Sequence, residues 1–173
     1  VKTASTVKPA LPECICNTSP FQYLHQLGRL DLLPALTNGV IVPSAVAAEL
    51  DAGRVLGYDV PDLRKLGWVT LRDPQSAAAL PLAADLGPGE SAVLALALES
   101  TSPLVILDDA LGRRAAELLG IPMTGTLGLL LDARKAGLVH AIAPLLDQLD
   151  ALGFRLSEVT RSAVLKLAGE VAG

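Results

Sequence analysis

The stretch that most constrains this chain runs from Ser102 to Gly120. Leu104 to Leu107 is an unbroken apolar run of the length expected for a strand buried on both faces. Asp108 and Asp109 follow at its C-terminal end. Ala110 to Leu119 then has the composition and period of a helix, and Gly120 stops it. Open α/β sheets bind ligands outside the C-terminal ends of their strands, so two carboxylates delivered there are candidates for chemistry. The plain structural alternative is that one aspartate caps the helix, since Asp is a preferred N-cap.

The length, 173 residues, suits one domain with a sizeable core. Residues 1–12 read as a loose arm with no signal-peptide core, and residues 13–173 as a single domain that includes the C-terminal helices. Hydrophobic residues make up 51% of the chain, mostly Leu, Ala and Val, yet no run approaches the roughly 18 residues of a membrane span. Aromatics are only 3%, which argues for helices on a buried sheet and against a stacking platform for single-stranded nucleic acid. The net charge of −4 gives no general attraction to phosphate, so a nucleic-acid partner needs a local basic patch or screening cations. Arg113 with Arg114 and Arg134 with Lys135 are the candidate pairs; their plain reading is a solvated helix face. Cys14 and Cys16 lie one residue apart on a strand, a spacing poor for a disulfide, and without a second pair they make no structural zinc site. They read as buried, reduced thiols of a cytoplasmic protein.

Taken in order, Glu13 to Cys16 is a first strand. Thr18 or Ser19 caps a helix with Pro20 at its first position. A short helix interrupted by Pro34 follows, and Val40 to Val42 is a second strand. Ser44 to Gly53 is the next helix, with Glu49 in its last turn on the margin of the apolar face, where an acid opposes the helix dipole. Arg54 to Leu66 reads as one or two helices broken at Pro61, Trp68 to Leu71 as a strand near an edge, and Asp73 to Pro81 as loop or short helix. Gly87-Pro-Gly-Glu90 opens the most apolar helix, Ser91 to Glu99, expected to be central and buried all round. After the Ser102–Gly120 unit, Ile121 to Met123 is a last strand whose Pro122 suggests an edge. Helices over Leu127–Ala136 (capped by Thr124-Gly125-Thr126), Ala141–Leu152 and Ser157–Ala168 complete the chain, the last with an apolar stripe of Val159, Ala163, Val164 and Leu167 that reads as core, with a dimer contact as the alternative. This order predicts an α/β fold with a mainly parallel sheet flanked by helices.

Polar groups fall at corresponding places: Asn17 after the first strand, Glu49 on the helix after the second, Glu90 at the mouth of the apolar helix, and the Asp108–Asp109 pair. In a parallel sheet these converge at one edge. Clustered carboxylates repel one another, and a hard cation such as Mg²⁺ or Mn²⁺ relieves that repulsion. Such a site activates water and stabilises charge on a phosphodiester. Other chemistries fit poorly. The chain has no Gly-rich phosphate loop with Lys and Ser/Thr and no Gly-x-Ser-x-Gly elbow. Its two histidines, His25 and His140, lack the partners of a triad or a zinc site. A small-molecule phosphatase would need an aspartate nucleophile where Asn17 stands.

The segments Asn17-Thr-Ser-Pro-Phe-Gln-Tyr-Leu24, Leu30-Asp-Leu-Leu33 and Ile41-Val-Pro-Ser-Ala-Val-Ala-Ala-Glu-Leu50 carry a resemblance. It continues through Gly89-Glu-Ser-Ala-Val-Leu-Ala-Leu-Ala97, Leu107-Asp-Asp-Ala-Leu-Gly-Arg-Arg-Ala115, Thr124-Gly-Thr-Leu-Gly128 and Gly153-Phe-Arg-Leu-Ser157. The chain resembles the PIN-domain proteins, and within them a bacterial and archaeal branch of predicted nucleases, over about residues 13 to 170. The resemblance implies a three-layer α/β/α fold with four or five mainly parallel strands. It also implies an acidic site that binds Mg²⁺ or Mn²⁺ and cleaves RNA. Partners expected on the same ground are a second copy of the chain and, for a toxin, a small antitoxin protein.

Residue by residue, the family's acids fall on Asn17, Glu49, Glu90 and either Asp108 or Asp109, the register between the last two being open. Thr18 or Ser19 matches the hydroxyl beside the first acid, and Arg113, one turn beyond the aspartates, is placed to steer phosphate. Asn17 departs from the usual aspartate: its carbonyl can still ligate a hard cation but contributes no charge. Two readings follow. One is a metal-dependent endoribonuclease in which Glu49, Glu90 and Asp108 hold the metal, with Asp109 as an additional or alternate ligand and Asn17 as a neutral one. The other is a binding module for RNA or protein in which Asn17 marks a weakened site.

Overall fold

The shortest apolar runs of the chain build its sheet. The computed structural model describes residues 11–76 and 85–170. Its strands are β1 (Cys14–Cys16), β2 (Val40–Val42), β3 (Val69–Leu71), β4 (Val105–Ile106) and β5 (Met123–Thr124). They lie in the order β3-β2-β1-β4-β5, and every neighbouring pair is parallel. Every residue of β1, β2 and β4 is buried, which is why these strands read as continuous apolar runs rather than alternating ones. β3 and β5 are the edges, and their residues are half-buried or exposed.

The helices are α1 (Thr18–Gln26), α2 (Leu32–Leu36), α3 (Ser44–Val55), α4 (Pro88–Glu99), α5 (Ala110–Leu118), α6 (Thr126–Lys135), α7 (Ala143–Ala151) and α8 (Glu158–Leu167). α4 lies against β1 and β4 and packs on α3 and α5, while α1 and α2 pack on α6. The fully buried side chains, among them Ile15, Phe21, Leu50, Leu94, Ile106 and Leu130, fill the space between these helices and the sheet. Cys14 and Cys16 are free thiols in that core; burial, and then the neighbouring Glu13 charge, pushes the Cys14 thiol up to about 12. Among the described residues, no helix is long and apolar enough to cross a membrane.

Several local expectations are corrected. α3 runs through Gly53 to Val55 and ends at Gly57, whose φ of 87° suits a residue without a side chain. Glu49 is therefore mid-helix rather than in a last turn. The helix expected over Arg54–Leu66 is mostly irregular chain; only Leu63–Lys65 forms a 3₁₀ turn, started by the Asp62 carboxylate, which accepts from the Arg64 N–H. The last strand starts at Met123, after Pro122, because proline has no N–H for the ladder. The apolar helix is not buried all round: Leu98 is 51% exposed. The stripe expected on the last helix is not core either. Val159 is 81% and Leu167 68% exposed, and only Val164 is buried, because α8 meets the body of the protein chiefly along α6. Of the expected N-terminal arm, residues 1–10 lie outside the described residues, whereas Leu11 is tied down by its N–H to the Leu36 carbonyl. The loop expected over Asp73–Pro81 is described as far as Ser76, and residues 77–81 lie outside.

The strand order has one consequence for function. From β1 the chain moves out to β2 and β3 on one side, and β4 and β5 lie on the other. The order thus reverses between β1 and β4, and the crevice beyond their C-terminal ends is where such sheets bind ligands.

Candidate metal centre

Asn17 and the Asp108–Asp109 pair leave the sheet side by side at this crevice, because β1 and β4 are neighbours and the Asn17 N–H donates to the Ile106 carbonyl at 3.1 Å. Asn17 is fully buried. Its amide nitrogen donates to Glu90 Oε1 at 3.0 Å, which brings the mouth of α4 onto the end of β1. Its amide oxygen, also buried, has no hydrogen-bond partner. Buried acceptors are rarely left unpaired, so this oxygen has the property expected of a ligand atom awaiting a cation.

Glu49 reaches the same edge from the middle of α3. Gly89 at the start of α4 donates its N–H to Glu49 Oε1 at 2.9 Å, and the Thr18 hydroxyl donates to Glu49 Oε2. Gly89 has to be small: a Cβ there would lie 2.7 Å from Glu49 Oε2. The Thr18 hydroxyl is thus spent on Glu49 rather than on a helix cap. Asn17, not Thr18 or Ser19, stands at the N-cap of α1, without a side-chain capping bond. Pro20 is accordingly the third residue of α1 rather than the first. Ser19 makes no hydrogen bond to these carboxylates among the described residues.

The two aspartates part company, as successive residues at the end of a strand do. Asp109 is the N-cap of α5 and accepts from the Gly112 N–H at 2.9 Å. It stands on the Glu90 side: the place where a Gly112 Cβ would sit is 3.3 Å from Glu90 Cγ and 3.8 Å from Asp109 Oδ2. Asp108 turns toward α6 instead. It accepts from the Thr126 N–H at 2.7 Å and from the Thr126 hydroxyl at 2.6 Å. Burial pushes the Asp108 carboxyl above the usual range, against the pull of the two Thr126 bonds and the Arg113 charge. Arg113 is pinned with Nη1 on the Leu107 carbonyl at 2.8 Å.

Sequence reasoning passed over three contributors. Thr126 reads only as a helix start, yet it holds both oxygens of Asp108. Gly125 reads as a cap, yet a Cβ there would lie 2.8 Å from Asp108 Oδ1 and 2.9 Å from the Leu107 carbonyl oxygen. Tyr23, edge-on to Phe154 at 4.9 Å, has its hydroxyl pKa raised by burial and by the Asp108 charge. The Thr124-Gly125-Thr126 run, from the last residue of β5 to the first of α6, was the available signal for the first two. The arrangement gathers Asn17, Glu49, Glu90 and Asp109 at one edge, with oxygen donors only. Among the described residues, no group of three or more His, Cys, Asp or Glu is close enough to hold a metal ion as it stands.

An all-parallel α/β sheet of this order, with acids at its switch point, defines a doubly wound α/β protein with a candidate acidic ligand site. A sequence-family model described as a PIN domain matches residues 13–170, and the chain belongs to the PIN-domain family. No curated protein and no solved structure matches it.

Proposed function

We propose that this protein is a metal-dependent ribonuclease that hydrolyses RNA phosphodiesters, with Asn17, Glu49, Glu90 and Asp109 holding Mg²⁺ or Mn²⁺. The observation that carries this reading is the buried Asn17 amide oxygen, unpartnered and beside Glu90 at the switch point. An all-oxygen donor set suits a hard cation. Bound there, such an ion would supply polarisation of water and relief of phosphate charge. The chain's own residues do the rest. Gly89 and Thr18 fix the Glu49 carboxylate, Gly112 fixes Asp109, and Arg113 presents a fixed positive charge to a phosphate. Asp108 is a positioning residue that ties the end of β4 to the start of α6. Glu90→Gln is the test: RNA cleavage in Mn²⁺ should fall by about 100-fold, and unchanged cleavage would refute the assignment.

A second reading is a PIN-fold binding module for RNA or protein. The Asn17 amide bonded to Glu90, together with the lack of a ready metal-holding cluster of acids among the described residues, favours it. Calorimetry separates the two: RNA binding without Mn²⁺ binding supports the module. A small antitoxin and a second copy of this chain complete the first reading as partners; co-purification of a small protein with the tagged chain from its native cells checks the former, and the solution mass of the purified chain checks the latter.

A further inference from the structure

Beside the metal centre, on the β5 side of the sheet, a groove of about 690 Å³ opens between α5 and β5. Asp108, Arg113, Arg114, Glu117, Leu118 and Met123 line it; Asp108, Arg113 and Met123 are half-buried, and Arg114, Glu117 and Leu118 are exposed. The proposal rests on the nuclease reading and deepens it. We infer that this groove seats the nucleotide next to the cleaved bond, so that a single RNA strand leaves the site across α5 and β5 rather than across β3.

The groove has the chemistry of one nucleotide. Arg113 is immobilised by the Leu107 carbonyl, one turn of helix beyond Asp109. Arg114 beside it is exposed and forms no ion pair among the described residues. Two guanidinium groups together accept a phosphate, with the hydrogen-bonding fork that lysine lacks. Leu118 is 66% exposed and Met123 half-buried, an apolar floor for a sugar and base. Met adapts its shape to flat partners. Glu117 is the exposed acid of the lining, and its charge repels phosphate. It therefore sets the polarity of the fit: phosphate on the arginines, away from Glu117, and base on Leu118 and Met123. On a chain of net charge −4, an exposed arginine that forms no ion pair among the described residues, Arg114, beside the pinned Arg113, is a local attraction for phosphate.

The experiment is binding of a short fluorescein-labelled single-stranded RNA to the whole protein in EDTA, where metal-dependent cleavage is stopped, by anisotropy across a salt series. Arg114→Ala should weaken binding by about tenfold and lower the salt slope by about 1. Glu117→Gln should tighten binding a few-fold, an effect of opposite sign that a merely structural role would not give. Lys65→Ala, in the turn before β3, should leave binding unchanged. If the wild type binds but Arg114→Ala and Glu117→Gln behave like Lys65→Ala, the groove is not the path, and the nuclease reading stands or falls on Glu90→Gln alone. If the wild type neither binds this RNA nor cleaves it with Mn²⁺, both inferences are overturned together.

Discussion

At the scale of residues, Asn17 decides how this site behaves. Its amide nitrogen neutralises part of the Glu90 field without adding charge, and its oxygen waits unpartnered in the core. Asn17→Asp replaces the donor with a second carboxylate facing Glu90 in a fully buried position. Without metal the variant should lose about 1–3 kcal/mol of stability. With Mn²⁺ it should regain that loss and bind the ion more tightly than the wild type. Paired thermal melts in EDTA and in Mn²⁺ measure both halves. A variant as stable as the wild type in EDTA would mean that Asn17 and Glu90 are less closely coupled than their hydrogen bond indicates. Gly125 makes a second prediction. A methyl group there meets Asp108, the Leu107 carbonyl and Arg113 at 2.8 to 3.0 Å. Gly125→Ala should cost about 1–3 kcal/mol in urea unfolding, while the same change at exposed Gly67, where nothing lies within 4 Å, should cost far less.

At the scale of elements, the C-terminal end of the chain works as a clasp. Glu170, just past α8, accepts the N–H groups of Ile142 at 2.7 Å and Ala143 at 2.9 Å. It thereby caps α7, whose own N-cap, Ile142, has no side-chain acceptor. Arg134 of α6 stands 3.4 Å from the same carboxylate. Burial raises the Glu170 pKa, but the two backbone bonds and Arg134 together outweigh it and leave the carboxyl below its usual value. A lowered folded-state pKa means a contribution that is complete above the unfolded value of 4.5 and is lost as pH falls through the lower folded value. Glu170→Gln should therefore destabilise the protein by about 1 kcal/mol near neutral pH. The gap to the wild type should close at acid pH. Urea titrations of both proteins across that range test the sign. The expectation for α8 itself, an apolar stripe in the core, failed because period alone cannot tell which face a terminal helix turns to its neighbours.

At the scale of the whole molecule, the acids come from α3, α4 and the end of β4, and Asn17 from the end of β1. A ligand bridging them ties together segments far apart in the chain. Mn²⁺ at 100 times its Kd should add about 2.7 kcal/mol to stability, seen as a rise in Tm that EDTA reverses. Glu90→Gln should abolish the rise. An unshifted Tm in the wild type would favour the binding-module reading.

The sequence alone determined the class and most of the elements. Val40 to Val42, Leu104 to Leu107 and the run around Ile15 read as buried strands, since unbroken apolar runs between helical segments suit a parallel sheet covered by helices. The ordered motifs from Asn17 to Ser157 were enough to point to a PIN domain, and Asn17, Glu90 and the Asp108–Asp109 pair were readable at a strand end or helix start, whereas Glu49 stands in the middle of α3. What only the tertiary structure decided depends on contacts distant in sequence. The order β3-β2-β1-β4-β5 set Asn17 beside the aspartates. The exit direction of the strand end separated Asp109, which stays on the Glu90 side, from Asp108, which Thr126 draws away. Caps, turns and burial periods are local physics and are written locally. Which carboxylate meets which partner is fixed by how the β1–β4 crevice, α4 and α6 close around it, and no window of sequence contains all three.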